Sequence, residues 1–501
     1  MGGYILAVDQ STQGTKGLLF DERGTLIARA DRPHRQIVND RGWVEHDPME
    51  ILNNTAGVCG DVLRRAGVSS AQVAGLALSN QRETSLMWDK GTGKPIYNAV
   101  VWQCARASEI CERPEIASQS ETIRQKTGIN LSPYFPAAKL CWLMENVPAA
   151  RELASQGRLA CGTVDSWLVW NLTGNHWTDC SNASRTQLFN ITELNWDGEL
   201  CALFHIPPDS LPEVRMSDEN FGLTDLCGVL DHRVPVHAVL GDSHAALFGQ
   251  NCRRVGLTKA TYGTGSSIMM NVGRKPVFSR HGLVTSLAWG IGGEVEYVLE
   301  GNLNYTGAVI TWLKDSLGLI SSPGESEVLA RSASQNDGVY LVPAFTGLGA
   351  PYWDSAARAS VVGMDRTTGR AELVRAGLEC IAYQIADVVF SMREDSGLDI
   401  GALRVDGGPT RNRWLMQFQS DILRADVSVP AAEELSGIGA AYLAGMALGL
   451  WDEGVFARME RSAYTPLMDP ALREEKYAGW KRAVQSVLQN MPTAKSVSRS
   501  I

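Results

Sequence analysis

The sequence predicts an α/β protein with two domains of similar architecture. Segments with strand patterns and segments with helix patterns alternate along the whole chain, which is typical of this class. The chain has 501 residues, too many for one ordinary hydrophobic core, so two domains are expected. Two hairpin patterns, one at the start of the chain and one just after its middle, share the same order of strand, small polar turn and strand. We therefore expect one such unit in each half.

The first hairpin pattern covers residues 5–20 (ILAVDQSTQGTKGLLF), in which a polar turn separates two apolar strands. The second covers residues 256–275 (GLTKATYGTGSSIMMNVGRK), and its turn is Gly263-Thr264-Gly265. Because each half of the chain has one of these units, we divide the chain between them. The predicted domains are residues 1–252 and residues 253–501.

Both turns, and a third glycine-rich turn, are candidate phosphate sites. Turns of Gly, Thr and Ser leave backbone N–H groups sterically open, and such groups bind anions. The third turn lies in residues 403–423 (LRVDGGPTRNRWLMQFQSDIL), where a strand, a glycine pair and an amphipathic helix follow one another. A glycine pair at this place lets a ligand approach a helix N-terminus. The alternative for each of the three is an ordinary tight turn without a ligand.

Two common nucleotide-binding signatures are missing from the chain. There is no G-x-x-x-x-G-K-[ST] segment, and no dinucleotide fingerprint followed by a ribose-binding acid. A nucleotide would therefore be held by paired hairpins across a cleft rather than by a P-loop.

An acidic residue, Asp242, stands where an apolar strand turns into a helix, in residues 240–250 (LGDSHAALFGQ). One interpretation is a helix N-cap, a position where Asp and Ser are both favourable. The other is a general base that accepts the proton of a hydroxyl, and a helix N-terminus would keep such a carboxylate ionised. Substitution by Asn separates the two, because Asn caps a helix as well as Asp does.

Arg82 and Glu83 follow the strand pattern VAGLALS in the segment NQRET. They could form a partly buried ion pair with each other. Adjacent residues of a strand point to opposite faces, however, so a mutual pair is awkward unless the strand has ended. This geometry favours contacts with a ligand, and the ion pair stays as the alternative.

The overall charge and the cysteines restrict the class of protein. The formal net charge of −9 argues against nucleic acid and against an anionic membrane surface as partners, since both need a basic face. The ten cysteines form no C-x-x-C pair and show no zinc spacing with histidine, which favours reduced thiols and a cytoplasmic location. We expect neither a secretory segment nor a membrane-spanning run.

Several motifs together resemble the FGGY carbohydrate kinases, and within that family the glycerol kinases. The resemblance covers residues 4–485, nearly the whole chain. The segments that carry it are VDQSTQGTK, NQRET, GWVEHDP, NAVVWQC, TYGTGS, PAFTGLGAPYWD and LRVDGGPTRNRWLMQFQSDI.

The resemblance implies two actin-like (ribonuclease H-like) ATPase domains with a cleft between them, and transfer of the γ-phosphoryl group of ATP to a primary hydroxyl of a polyol. Homodimers or homotetramers are also implied. By this resemblance Asp9 positions Mg²⁺, and Asp242 is the general base. The remaining implied contacts are Thr12, Gln13, Gly14 and Lys16 at the first phosphate turn, Thr264 and Gly265 at the second, Gly307, Thr311, Gly408 and Asn412 around the nucleotide, and Arg82, Glu83, Trp102, Tyr134 and Asp242 around the polyol.

The chain departs from the glycerol kinase pattern at two kinds of position. At the phosphate and nucleoside sites, Lys16 replaces Arg, Gln13 replaces a small hydroxyl residue and Thr311 replaces Gln; Lys16 keeps the charge but loses the bidentate fork.

In the polyol pocket, Ser243 replaces a Gln and Ser267 replaces an aromatic residue. These two changes remove volume and add hydroxyls, so the hypothesis is an acceptor larger than glycerol, such as a four- or five-carbon polyol or ketose. The alternative is that His244 or Tyr305 fills the space and glycerol remains the acceptor.

Two other functions remain possible at this point. One is an ATPase of the same fold that hydrolyses ATP without phosphorylating a sugar. The other is a sugar sensor without catalytic activity. The residues of the polyol pocket argue against the first, and the presence of Asp9, Asp242 and both phosphate turns argues against the second.

Overall fold

A computed structural model describes residues 3–334 and 338–488 of the chain. Its first half is a mixed set of strands and short helices. The strands are β1 (Tyr4–Gln10), β2 (Gly14–Phe20), β3 (Leu26–Pro33), β4 (Ile37–Val38), β5 (Val44–His46), β6 (Val73–Asn80), β7 (Ser85–Asp89), β8 (Ala99–Val100), β9 (Leu159–Thr163), β10 (Trp177–Asp179), β11 (Phe189–Asn190), β12 (Asn195–Trp196), β13 (Glu213–Arg215), β14 (Asn220–Thr224) and β15 (Val234–Gly241). The helices are α1 (Pro48–Ala66), α2 (Ser108–Cys111), α3 (Pro114–Ala117), α4 (Ser120–Thr127), α5 (Pro136–Asn146), α6 (Pro148–Ser155), α7 (Val164–Thr173), α8 (Cys180–Ala183), α9 (Gly198–Leu203) and α10 (Asp242–Gly249).

The second half has longer helices. Its strands are β16 (Leu257–Tyr262), β17 (Ser266–Gly273), β18 (Val284–Ile291), β19 (Glu294–Leu303), β20 (Tyr340–Val342), β21 (Ser360–Val362), β22 (Ala402–Asp406), β23 (Val427–Pro430) and β24 (Arg461–Tyr464). Its helices are α11 (Gly307–Thr311), α12 (Glu325–Ser332), α13 (Arg370–Ser396), α14 (Arg413–Leu423), α15 (Leu435–Ala447) and α16 (Pro470–Leu488). Short 3₁₀ turns lie at Ser70–Gln72, Pro208–Ser210, Gly408–Arg411 and Glu453–Arg458, and a π-helical turn lies at Trp312–Ser316.

The two large sheets repeat one topology. The first has the order β14-β15-β6-β1-β2-β3, and the second has the order β18-β19-β17-β16-β22-β23-β24. In each sheet three neighbouring strands are antiparallel and include the hairpin predicted from sequence, namely β1-β2-β3 and β16-β17-β19, and in the second sheet β18 adds a further strand beyond β19. In each sheet the first hairpin strand also pairs in parallel with a later strand, β6 or β22. This repeat confirms the predicted α/β class and the similar unit in each half.

Each sheet has its own apolar layer on the outer face. Helix α1 starts after the N-cap Asp47, ends at the left-handed Gly67, and covers Leu6, Val8 and Leu19 of the first sheet. Helices α13 and α14 cover the second sheet in the same way. Since these layers fix the sheets, they also fix the strand ends at which the predicted turns lie.

A third apolar layer lies between the two sheets. It joins Ile5, Ala7 and Leu18 of the first sheet to helices α10 and α15, and includes Met269 and Val298 of the second sheet. Helix α15 belongs to the second half of the chain but packs on β1, β6 and β15 of the first sheet. The division at residue 252 therefore stays a prediction, because a helix from beyond it completes the packing of the first sheet.

Helices α10 and α15 lie unusually close together because a glycine of each faces the other. A β-carbon at Gly439 would lie 1.8 Å from the carbonyl oxygen of Ala245, and one at Gly249 would lie 2.4 Å from that of Leu435. Only glycine fits at such a distance. The close packing holds α10, whose first residue is Asp242, rigidly against the first sheet.

We searched the helices of the described ranges 3–334 and 338–488 for a bilayer-spanning segment. None has the length and apolarity that crossing would require.

Candidate active site

Two cavities lie where the predicted turns meet. One, of about 610 Å³, is lined by five of the residues expected to contact a nucleotide: Thr264, Gly307, Thr311, Gly408 and Asn412. Its volume is in the usual range for a small-molecule site. The other, of about 600 Å³, contains Lys16 together with Gly408. The structure thus brings the first hairpin, the second turn and the third turn to one cleft.

The second turn is fixed by the start of α11. The carbonyl oxygen of Gly263 accepts the N–H of Gly307, and that of Thr264 accepts the N–H groups of Thr306 and Ala308. The N–H groups of Thr264 and Gly265 have no acceptor in the part of the chain that the structure describes. A β-carbon at Gly265 would lie 2.1 Å from the carbonyl oxygen of Leu303, so the turn requires glycine there. The unpaired N–H groups suit an anion.

Asn412 and Thr311 line the nucleotide cavity and also have structural roles. Asn412 is the N-cap of α14, since its Oδ1 accepts the N–H of Leu415 at 2.9 Å. The Thr311 hydroxyl donates to the carbonyl oxygen of Gly307 at 3.3 Å. Their side chains therefore shape the cavity wall whether or not a nucleotide is bound.

The first turn carries Thr12, Gln13 and Gly14 between β1 and β2. The Thr12 hydroxyl accepts the indole N–H of Trp102 at 2.9 Å, which connects this turn to the expected polyol pocket. Gln13 is exposed. Lys16 follows on β2, with its Nζ 2.7 Å from Glu434 Oε2 and 3.9 Å from Asp9 Oδ2.

Asp9 is nearly buried, at 6% exposure, and Ser79 donates a hydrogen bond to its Oδ1 at 3.1 Å. Burial raises its pKa to about 6; Lys16 opposes the rise, and the charges of Asp242 and Glu434 add to it. A divalent cation would relieve this repulsion, and carboxylate oxygen is the ligand that Mg²⁺ prefers. Within the described residues no group of three or more His, Cys, Asp or Glu side chains is arranged so that it could hold a metal ion by itself. The remaining ligands of such an ion would be phosphate oxygens and water.

On the other side of the cleft, Arg82 and Glu83 belong to a buried charge network. The guanidinium of Arg82 donates to both oxygens of Glu300, at 3.0 and 2.9 Å. Arg185 pairs with Glu83 at 2.6 Å and with Glu300 at 2.8 Å. Arg82 and Glu83 themselves are 4.0 Å apart. Arg82 therefore pairs mainly with Glu300, and Glu83 pairs mainly with Arg185. Through Glu300 the network joins the first half of the chain to strand β19 of the second half.

Burial alone would raise the pKa of Glu300, which has no exposed surface. The charges of Arg185 and Arg82 outweigh burial and hold the pKa of Glu300 well below its usual range. Glu300 is therefore an ionised carboxylate inside the protein, and its charge is matched by two guanidinium groups.

Asp242 is the first residue of α10, and Gly241 is the N-cap residue. The Asp242 carboxylate is 35% exposed and lies 3.3 Å from Arg82 Nε. Its Oδ1 accepts the N–H of the adjacent Ser243 at 2.6 Å, and it makes no side-chain capping bond of the kind the N-cap interpretation requires. The carboxylate is therefore partly exposed and keeps free acceptor positions.

The residues expected to line a polyol pocket are aromatic and hydroxylated. The rings of Trp102 and Tyr134 are 5.4 Å apart. Ser243 and Ser267 are half-buried, and the Ser267 hydroxyl donates to Glu300 Oε1 at 3.2 Å.

His244 and Tyr305, which could fill the space left by the small side chains of Ser243 and Ser267, form hydrogen bonds with other residues. His244 Nε2 lies 3.3 Å from the Ser286 hydroxyl, and the Tyr305 hydroxyl donates to Thr346 at 2.9 Å. Neither hydrogen bond directs a side chain towards Ser243 or Ser267.

Four charged residues of the cleft were missed by the sequence analysis: Arg185, Glu300, Glu434 and Lys259. Two of them carried a usable signal, because Glu300 (EYVLEGNL) and Lys259 (LTKATY) are charged residues inside apolar stretches of strand, although the strand of Glu300 also carries Glu294 and Glu296 at its start. A charge in such a place is almost never fully buried unless it has a partner or a function. Arg185 and Glu434 lie in loops and carried no comparable signal.

Comparisons with known proteins extend over both halves of the chain. Residues 4–249 match the FGGY family of carbohydrate kinases, N-terminal domain, and residues 258–448 match the C-terminal domain of that family. A glycerol kinase of Paraburkholderia phytofirmans is 48% identical over 488 residues, which cover 96% of this chain and 98% of that protein. Glycerol kinase 1 of Thermotoga maritima is 48% identical over 490 residues, which cover 97% of this chain and 99% of that protein.

Among solved structures, Plasmodium falciparum glycerol kinase with ADP superposes with a TM-score of 0.92 at 36% identity. The match covers 97% of this chain and 98% of that one. It confirms the expected fold of two actin-like domains.

Proposed function

Because the chain belongs to the FGGY family of carbohydrate kinases and is an ATP-dependent polyol kinase, we propose that it phosphorylates a primary hydroxyl of glycerol or of a slightly larger polyol, with Asp242 as the general base. The observation that carries the assignment of the base is the partly exposed carboxylate of Asp242, held beside Arg82. It is not occupied in capping α10.

In this proposal the second and third turns bind the nucleotide. The N–H groups of Thr264 and Gly265 donate to phosphate oxygens, and the cavity beside them accepts the nucleoside between Gly307, Thr311, Gly408 and Asn412. The first hairpin, on the opposite side, binds the terminal phosphates through Thr12, Gln13, Gly14 and Lys16. The neighbour solved with ADP supports the binding of an adenine nucleotide by this fold.

Mg²⁺ would be held by Asp9, whose carboxylate fits the ion. When bound, the ion neutralises charge on the β- and γ-phosphates. A carboxylate binds the ion in its ionised form; burial raises the pKa of Asp9 to about 6, and the charge of Lys16, 3.9 Å away, opposes that rise and favours the ionised form.

On the acceptor side, Arg82 orients Asp242 through its Nε, because its other two nitrogens already donate to Glu300. The free lone pairs of Asp242 then accept the proton of the attacking hydroxyl. Trp102 and Tyr134 cover the carbon chain of the polyol, and Glu83 accepts from a second hydroxyl. Closure of the two domains excludes water as a competing acceptor.

The size of the acceptor depends on Ser243 and Ser267. Glycerol is supported by the names of the relatives that are 48% identical. A four- or five-carbon polyol or ketose is supported by the two small hydroxylated residues, because the hydrogen bonds of His244 and Tyr305 do not draw these side chains into that space.

The test is a coupled ADP-release assay with glycerol, erythritol, xylitol, ribitol and xylulose. We expect ADP release to require one of these acceptors and kcat/KM to identify it; a clear preference for glycerol would eliminate the enlarged pocket. ADP release that no acceptor changes would instead favour an ATPase, and nucleotide binding without any ADP release would favour a sensor. We also propose a cytoplasmic location and a homodimer or homotetramer. Light scattering on the purified protein measures the oligomeric state, and cell fractionation tests the location.

A further inference from the structure

Lys259 is a buried cation that none of the roles above uses. It lies on strand β16 with 1% of its surface exposed. Its Nζ donates to the Thr261 hydroxyl at 2.9 Å, and no carboxylate oxygen lies within 4.0 Å of it among the described residues. An ammonium has three N–H donors, so burial with a single neutral partner is costly unless an anion arrives.

Strand register shows which side chains share one sheet face with Lys259. On the face of the second sheet that looks towards the first half of the chain, aligned residues form two rows. The lower row is Glu300, Met269, Lys259 and Arg404, and the upper row, nearer the turns, is Asn302, Ser267, Thr261 and Asp406. The two bonds between rows, from Lys259 to Thr261 and from Ser267 to Glu300, show that these side chains share one face. The Lys259 ammonium therefore points up this face towards the second and third turns.

The charged groups around the Lys259 ammonium include the proposed base, Asp242, and Asp406, which precedes the third turn. Burial lowers its pKa, while Asp406, Glu300 and Asp242 raise it and Arg82 lowers it. Glu300 is already matched by Arg82 and Arg185. The ammonium thus lies between the proposed base and the phosphate turns, and no neighbouring carboxylate pairs with it directly.

We propose that Lys259 binds the γ-phosphoryl group of ATP during its transfer, an inference that rests on the kinase function proposed above. The bond from phosphorus to the oxygen that leaves with ADP breaks, and the bond from phosphorus to the acceptor hydroxyl oxygen forms. The acceptor proton goes to Asp242, and Lys259 keeps its own protons. Its role is to place a positive charge beside the equatorial phosphoryl oxygens, where charge is concentrated in such transfers.

The direct test is Lys259→Met, which keeps the length of the side chain and removes the charge. Its matched control is Lys476→Met, which removes a buried lysine of the same half that lies 3.2 Å from Glu379 and outside the cleft. We expect Lys259→Met to lower kcat about 100-fold or more, the usual cost of one charged transition-state contact. Its affinity for ADP should stay within about twofold, whereas its affinity for β,γ-methylene-ATP should fall about tenfold. Lys259→Arg should recover part of kcat.

A purely structural lysine would give a different pattern. If Lys259→Met lowers kcat no more than Lys476→Met does, or weakens ADP and the methylene analogue equally, the proposal is wrong. If Lys259→Met does not fold, Thr261→Val removes the hydroxyl that positions Nζ and leaves the charge in place. It should lower kcat about tenfold with ADP affinity unchanged, and an unchanged kcat would overturn the proposal.

The binding measurements need no acceptor, so they separate this inference from the proposed function. If no polyol is phosphorylated by the wild-type protein but Lys259→Met still loses affinity for the methylene analogue alone, the acceptor assignment fails and the assignment of Lys259 stands. If the wild-type protein phosphorylates a polyol but Lys259→Met binds the methylene analogue as tightly as the wild type does, the acceptor assignment stands and the assignment of Lys259 fails.

Discussion

At the scale of single residues, Asp242 connects the two sides of the cleft. Its position at the first turn of α10 comes from Gly241, which takes the N-cap position, so that the carboxylate accepts only the N–H of Ser243 and keeps further acceptor positions. Replacing Asp242 by Asn should therefore lower kcat about 10³-fold, because the amide cannot accept the proton of the attacking hydroxyl. Steady-state kinetics measure the loss, and thermal unfolding should show almost no change in stability.

The control for this substitution is Asp47→Asn, the same change at an actual N-cap. Asp47 accepts the N–H of Met49 at 2.8 Å at the start of α1. Since Asn caps as well as Asp, this variant should keep both activity and stability. A loss of kcat by Asp242→Asn no larger than that of the control would remove Asp242 from the mechanism.

At the scale of elements, the first hairpin depends on two buried imidazoles beneath its turn. His34 contacts the carbonyl oxygen of Ser11 at 2.8 Å, and its ring lies 5.1 Å from that of His46. Burial, together with the charge of His34, lowers the pKa of His46 to about 4 from its ordinary 6.5. The unfolded chain thus takes up this proton near pH 6.5 and the folded chain only near pH 4. The stabilisation is complete above pH 6.5 and is lost as the pH falls towards 4.

His46→Gln should remove that dependence on pH. Between pH 7 and pH 5 the variant should lose about 2 kcal/mol less unfolding free energy than the wild type, measured by urea denaturation at both values. His232→Gln, at an exposed histidine, should leave the wild-type loss unchanged. Equal losses in all three proteins would contradict the role of His46.

The second hairpin depends on one glycine. Gly265→Ala would place a methyl group 2.1 Å from the carbonyl oxygen of Leu303, so the turn must move and its N–H groups lose their direction. Affinity for ADP, measured by calorimetry, should fall at least about tenfold. Gly198→Ala adds the same group where nothing lies within 4 Å, and it should leave the affinity unchanged.

These elements show which parts of the site could be predicted from the sequence. Both hairpins and the third turn were predicted correctly, because glycine, threonine and strand patterns are local signals. The partners of Arg82 and Glu83 could not be predicted, since Glu300 and Arg185 meet them only through the packing of the two halves. Lys259 likewise acquires its place from the register of four strands, which no single segment encodes.

At the scale of the whole molecule, Glu300 joins the two halves through Arg82 and Arg185. Glu300→Gln leaves two buried guanidinium groups with too little negative charge, and it should cost about 3 kcal/mol of unfolding free energy in urea. Glu219→Gln breaks a pair with Arg215 that is more exposed, and it should cost less than about 1 kcal/mol. Similar costs for the two variants would mean that the network does not stabilise the contact between halves.

Helix α15 has a consequence for how the chain is made. The underside of the first sheet, including Ile5, Ala7 and Leu18, is covered only in part by α10 until residues 435–447 have been synthesised. At typical rates of translation the nascent N-terminal half therefore exposes an apolar surface to water and chaperones for on the order of ten seconds. A gene fragment that stops at residue 252 should for the same reason give insoluble protein, whereas co-expression of the missing half should rescue it.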